Sequence, residues 1–466
     1  MLTTSRCPAR LICSCTVLAA MCSLAISVAA QVPNGAAVVS RFQGTAAGAA
    51  SGGLTIVDLN GTVPPVEITG LPPELTGTAT GIAPEGAASV LVDGRTGHVI
   101  VGEHALPTWD TDIHVIYLAG SAVVLDEVYN LGNAPGGGGW VDQMAWFGDD
   151  IVFTVRGAVY TSGPLVGELV GILRPQLGPP GTPGTIVTVP VTTNPSGATN
   201  ALAVDEKNGI AYIAKFQSQS SSQIYSVPIP GTGTPVAPVL VASLTTGILN
   251  MTYANGELLV GSLGGGYGLW RVDLTVSPAV VSAVSGQFTN ANGLALDNAS
   301  GDRIIADTST AQIYRLNAAL MPLALGSVNG VASGVAVRQS IATYGQPTPG
   351  ANTYDWALVP NPGGEPKVGN LTFDMTLASS PGTALGVAGL SLGEASPPLP
   401  VLGISLLLDP ATVVLPFTLL PAATSTIPLP IPPTVGLAGM QIYAQALFLE
   451  GSGWASSRGL RITLLL

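Results

Sequence analysis

The chain has 466 residues, 15 Lys plus Arg against 27 Asp plus Glu, a net charge of -12, and only 9% charged residues. Without clustered cations such a surface suits neither nucleic acid nor an anionic bilayer. With 59 Gly and 38 Pro, and no convincing amphipathic helix after residue 30, the composition predicts sheet and turn.

The N-terminus reads as an export signal over residues 1–30. Arg6 and Arg10 give a positive start, Leu11 to Ile26 an apolar core, and Val28-Ala29-Ala30 before Gln31 the small residues of a cleavage site. The protein is therefore expected outside the cytoplasm, secreted or at the cell surface. All four cysteines, Cys7, Cys13, Cys15 and Cys22, fall in that segment, so the mature chain has no thiol chemistry and no disulfide. A lipid-anchor reading would modify Cys22, but Met21 before it is bulky for that motif. No transmembrane segment is expected after the signal, because the apolar run from Val413 to Leu437 is broken by six prolines.

One phrase then recurs: an apolar strand, a turn with Asp, Asn or Gly, and a second apolar strand. It begins at Ala88, Asp142, Asn200, Asn250 and Asn292, with a truncated copy at Ser333. The spacing is near the ~40–50 residues of a four-stranded propeller blade. The stretch "NGLALDNASGDRIIADTSTAQIYRLN" predicts strands at Arg303–Asp307, Gln312–Leu316 and Leu323–Val328 after its first. Three strands near the start, in "AAVVSRFQG", "GGLTIVDLNG" and "PVEITG", lack an inner partner, which Ser333–Ser340 supplies. Joining the two ends closes a ring, and closure removes unpaired sheet edges. The expected fold is all-β: a six-bladed β-propeller over residues 31–340, followed by a C-terminal β-sandwich over 341–466.

The phrase at Asn292 resembles a blade of the NHL or gluconolactonase-like (regucalcin-like) propellers, with its Asn-Gly, D-x-x-G turn and V-A-D-like strand. The resemblance covers roughly two-thirds of the chain and is crisp only at Asn200 and Asn292. In such propellers and in paraoxonase-like ones an Asn in this N-G-L setting is a metal ligand, a role carried here to Asn292. The resemblance also implies a Glu in the first inner strand, where this chain has Ala88, with Glu85 three residues too early.

From Tyr344 onward the blade-type turns stop. Runs such as "GNLTFDMTLAS", "GISLLLDP" and "GLRITLLL" suggest seven or eight short strands. This portion resembles a C-terminal module of secreted proteins from aquatic bacteria, through its Tyr344-Gly345 opening, the "IPLPIPP" centre and Gln441-Ile442-Tyr443-Ala444-Gln445. Cysteines common in that module are absent here. Sorting to the cell surface and a plain packing role both stand as readings.

Asp142, Asn200, Asn250 and Asn292 begin inner strands and are candidate metal ligands at the mouth of the channel, with calcium the candidate ion because hard cations take oxygen donors. The alternative is that Asn and Asp bond locally to backbone. A second candidate is the histidine group, His98, His104 and His114, near Glu103, Asp110 and Asp112. There His104 and His114 would share a transition metal, or simply lie on a long surface loop. Gly389-Leu390-Ser391-Leu392-Gly393 formally fits G-x-S-x-G, but no histidine follows His114, so no triad assembles. The Gly runs 136–139 and 264–266 lack a phosphate-binding Lys. Trp109, Trp140, Trp146 and Trp270 either stack on sugars or pack between blades. No cofactor is certain and no catalytic residue is assigned. The function expected is non-catalytic binding of an extracellular protein, glycan or small ligand, the alternative a calcium-dependent, lactonase-like hydrolase.

Overall fold

The computed structural model describes residues 32–42, 52–77, 86–104, 110–133, 140–156, 170–174, 185–187, 198–229, 238–263, 268–285, 287–351, 354–358, 360–379, 385–420 and 425–466. The segment 1–30 read as an export signal, all four cysteines, Glu85, Trp109 and both glycine runs lie outside the described residues. One compact unit comprises Ala30–Gln339 and a second contains Ser340–Leu466.

The first unit is built from antiparallel ladders of short strands. β1 (Ala36–Phe42), β2 (Gly53–Asp58) and β3 (Val66–Glu67) come first, then β4 (Gly86–Val92), β5 (Val99–His104), β6 (Asp110–Ala119) and β7 (Ala122–Asn133). β8 (Trp140–Phe147), β9 (Asp150–Arg156), β10 (Val170–Arg174) and β11 (Thr185–Val187) form the next ladder. Three separate four-stranded sheets follow. They are β12 (Ala198–Asp205) to β15 (Val239–Leu244) through β13 (Ile210–Ser218) and β14 (Ser221–Pro228); β16 (Gly247–Ala254), β17 (Glu257–Leu263), β18 (Leu269–Asp273) and β19 (Val280–Ser285); and β20 (Ala291–Leu296), β21 (Arg303–Asp307), β22 (Gln312–Leu316) and β23 (Pro322–Ser327).

β24 (Val331–Val337) then returns to pair with β1, Val38 opposite Ala336, as the latch strand requires. Inner strands β24, β4, β8, β12, β16 and β20 each pack on the next, and β24 packs on both β20 and β4. That closed circuit makes the unit a β-propeller. Single ladder pairs, Phe42 with Gly86 and His104 with Trp140, stitch the first three ladders together.

Each ladder is too thin to bury both faces alone, so its core lies between neighbours. Val38 and Leu54 of the first ladder meet Val90, Val101 and Ile116 of the second, while Val39 and Val335 meet Ile304 and Ile313 of the last. The Asp turns close the inner hairpins. Asp93 accepts from the backbone N–H of Arg95 and the hydroxyl of Thr96, at 3.1 and 2.6 Å. Asp297 accepts from Ala299 and Ser300 in the same manner. Gly97 and Gly301, with φ of 72° and 75°, end these turns in the left-handed region that glycine tolerates.

In the second unit, β25 (Ile341–Tyr344), β35 (Gly459–Thr463), β33 (Gln441–Glu450), β28 (Leu385–Ser391) and β31 (Val413–Leu420) form one sheet, with β34 (Gly453–Ser456) on β33. β26 (Tyr354–Trp356), β27 (Asp374–Ser379) and β32 (Ser425–Pro428) form a second, and β29 (Glu394–Val401) and β30 (Ile404–Leu408) a hairpin. The residues that carried the resemblance meet at Leu407. The hydroxyl of Tyr344 donates to its carbonyl (3.1 Å), Oε1 of Gln445 accepts from its N–H (2.9 Å), and the Tyr344 and Tyr443 rings stand edge to face. Ser391 is buried in β28, bonded to the Asp409 carbonyl and the Thr412 hydroxyl, and a strand rather than a helix follows it. It is not a nucleophile elbow.

Candidate functional site

Every inner strand of the propeller carries a one-residue bulge against its partner strand, at nearly the same height. The extra residue is Ala88 in β4, Asp142 in β8, Asn200 in β12, Leu249 in β16, Asn292 in β20 and Ser333 in β24. A bulge releases one side chain from the ladder and re-aims it. Three of the four candidate ligands, Asp142, Asn200 and Asn292, occupy this position. Asn250 stands one residue further on, so its true counterparts are Ser89 and Gln143, and an apolar Leu249 fills the ring position.

The ring residues work between ladders. Nδ2 of Asn200 donates to the carbonyl of Ile248 (3.4 Å), Nδ2 of Asn292 to that of Ala332 (3.3 Å), and Oγ of Ser333 to that of Ala87 (2.6 Å). In each case the acceptor is the residue just before the bulge of the next inner strand. Where Ala88 offers no donor, Ser89 beside it reaches the Val141 carbonyl at 2.6 Å. Gln143, beside Asp142, accepts from the N–H of Leu202 (2.9 Å) and donates to the Met251 carbonyl (3.0 Å) and to Oδ1 of Asn250. Asn200 and Asn250 are buried, whereas Asp142 and Asn292 are half-buried.

At five of the six bulges a polar residue lies across the ladder from the residue preceding the bulge; at the sixth, Val155 faces Val141. Arg41 faces Ala332, Glu103 faces Ala87, Lys215 faces Thr199, Ser262 faces Ile248 and Asp307 faces Ala291. All five are buried. Arg41 is tied to the Glu67 carboxylate and the Asn329 carbonyl, and Asp307 accepts from the N–H and hydroxyl of Ser309 at 2.9 and 2.6 Å.

Glu103 belongs to the densest group of titratable side chains. Its Oε2 lies 3.5 Å from Nε2 of His114, whose Nδ1 sits 3.0 and 3.1 Å from the two oxygens of Asp126. Asp112 completes a trio in which one donor atom each of Glu103, Asp112 and His114 falls within 4.8 Å of the others, the one such His, Asp or Glu group among the described residues. Burial opposes the charge on His114, but Asp126 and Glu103 outweigh it and hold the pKa at about 9. The described part of this group can hold a metal ion, with Glu103 and Asp112 beside His114. The side chains of His104 and Asp110, the other members read from sequence, lie outside the described residues, as does that of Trp140. Asp126 carries no motif signal, because only strand register brings it to His114. Trp146 and Trp270 pack half-buried against hydrophobic clusters.

No family model matches the chain, and no curated protein matches it at a significant level. Among solved structures, it is similar to a chain of a nidogen/laminin complex, at 10% identity and TM-score 0.44, over 66% of this chain and 100% of that one. It is also similar to a periplasmic gluconolactonase of Pseudomonas aeruginosa, at 13% and 0.40, over 64% of this chain and 84% of that one. A putative 6-phosphogluconolactonase from Bacteroides uniformis gives 10% and 0.40, over 64% and 98%. These likenesses concern strand arrangement alone, and the ladder pairing above carries the fold. No helix among the described residues is long and apolar enough to cross a membrane.

Proposed function

We propose that the protein is an exported, non-catalytic six-bladed propeller of the NHL and gluconolactonase-like kind. It offers its loop face to an extracellular glycan, small ligand or protein, and its C-terminal β-sandwich serves sorting or retention at the surface. The observation that carries this reading is the employment of the bulge ring. Asn200 and Asn292, through Nδ2, and Ser333, through Oγ, are pinned to neighbouring ladders, and Ala88 and Leu249 offer no side-chain ligand atom. A calcium ion wants six or more convergent oxygens.

The second reading, a calcium-dependent hydrolase acting on lactones, draws support from the oxygen-bearing Asp142, Asn200 and Asn292 at one shared position, with Asn250 adjacent. The two are separated by calcium content, calcium-induced thermal shift and turnover of a panel of sugar lactones, measured with the mature protein and with Asn292→Ala. The non-catalytic reading expects no calcium shift and no turnover, together with saturable retention on one class of an immobilised glycan panel. Calcium-dependent lactone hydrolysis that disappears in Asn292→Ala would overturn it.

A further inference from the structure

The geometry points to a divalent transition-metal site in the second ladder, formed by Nε2 of His114 with the carboxylates of Glu103 and Asp112. It lies on β5 and β6 and is independent of the bulge ring's role. Three observations carry it.

The donor atoms already stand at coordination spacing. With bonds of ~2.05 Å to one ion, two ligands of a tetrahedral site are ~3.4 Å apart, and Nε2 of His114 is 3.5 Å from Oε2 of Glu103. Asp112 lies within 4.8 Å of both.

The imidazole is oriented for ligation from behind. Asp126 takes the Nδ1–H, which turns Nε2 towards the two carboxylates, where a bound metal would take the place of the Nε2 proton; a carboxylate behind the ring orients metal-binding histidines in this way. Asp126 reaches this place from β7, across the strand that bears His114, as a diagonal neighbour of it.

Nε2 is buried and makes no hydrogen bond, in a side chain only 3% exposed. A buried polar atom left in this state is costly. Its approach to Glu103 is an ion-pair contact rather than a formed hydrogen bond. Glu103 is equally buried, while Asp112 is half-exposed. One imidazole and two carboxylates suit zinc, manganese or iron(II) with an open position, and do not suit calcium. The competing occupant is a proton on Nε2, which would make the group a buried ion pair.

The test uses the mature full chain, stripped with chelator and titrated with zinc by calorimetry, with cobalt(II) absorption as a report of ligand geometry. One zinc per chain is expected, with a cobalt spectrum typical of four or five ligands. Glu103→Gln and Asp112→Asn should each weaken zinc at least about tenfold, and Asp126→Asn, a positioning residue, by roughly 10–100-fold. At the same concentration, zinc should raise the unfolding midpoint of the wild type more than that of Asp112→Asn, a half-exposed site whose variant is expected to fold even if Glu103→Gln does not. Absence of zinc binding, or equal affinity in the wild type and Asp112→Asn, overturns the proposal and leaves the ion pair alone.

Discussion

Gln143 donates to the amide oxygen of Asn250 although β8 and β16 are separated in the propeller by β12, whose Leu202 N–H the same Gln143 also satisfies. One side chain thus joins three consecutive inner strands, and the oxygen that sequence offered as a metal ligand at Asn250 is a hydrogen-bond acceptor. Gln143→Ala leaves the Leu202 N–H, the Met251 carbonyl and the Asn250 amide short of partners in a buried setting. A loss of about 3 kcal/mol is expected, since an orphaned buried group costs roughly 1–3 kcal/mol. Denaturant unfolding of Gln143→Ala, Asn250→Ala and the double variant should show a coupling of about 1 kcal/mol or more. Additive effects would mean the two do not act together.

The residue across the ladder from Ser89 and from Asn250 must be small, because the next inner strand presses against it. A Cβ on Gly261 would stand 2.0 Å from the Ala291 carbonyl oxygen, and one on Gly102 2.5 Å from Cβ of Val141. Both neighbours belong to the adjoining blade, so relief requires blades to part. Gly261→Ala and Gly102→Ala should each cost at least ~1–3 kcal/mol. Gly436→Ala, which meets nothing within 4 Å, should stay within about 0.5 kcal/mol of wild type. Thermal midpoints of the three variants check this directly.

In the second unit, the Arg458 guanidinium pairs with Asp355 at 2.9 Å, both buried, and the Arg458 carbonyl accepts from the indole N–H of Trp356. Asp355→Ala strands a buried cation and should cost about 3–5 kcal/mol, whereas replacing both partners by apolar residues of similar size should cost far less. Urea unfolding of the single and double variants distinguishes the two outcomes.

Burial pushes the pKa of His98 down, against the attraction of Asp93 and Glu127. While the ring is neutral in both states it contributes no pH dependence. On acidification the unfolded chain takes up its proton first, near ~6.5, so stability falls from that point until the lower folded value is reached. His114 works in the opposite sense: its contribution is already complete below ~6.5 and is lost only towards its folded value of about 9. Unfolding midpoints at pH ~7 and pH ~5 should therefore drop more for the wild type than for His98→Asn, and equal drops would contradict the assignment.

The propeller was legible because its signals are local. Alternation along Gln312–Leu316, the Asp and Gly of each turn, and the lone strand at Ser333 with no successors of its kind all stand in the primary sequence, and the strands follow them within a residue or two. What was not legible depends on register. The copy at Asn250 was aligned on its Asn, but its strand bulges one residue earlier, at Leu249, which moves Asn250 to the following position. Likewise the turn after Ala119 pairs it with Ala122, and a bulge further along the hairpin then shifts the ladder so that Tyr117 faces Leu125 and Ile116 faces Asp126. Without that single extra residue Asp126 would point to the other side of the sheet and never meet His114. The buried set of Arg41, Glu103, Lys215 and Asp307 escaped for the same reason, since only pairing places these charges at one level.

The hydroxyls of Ser40 and Ser333 touch at 3.0 Å across 293 residues of chain. The ring cannot close until the last inner strand has been made, so a chain still emerging from the ribosome is an open arc with two bare edges. Such an arc is the species most exposed to aggregation and proteases, and its lifetime is set by the slow search that brings such distant segments together.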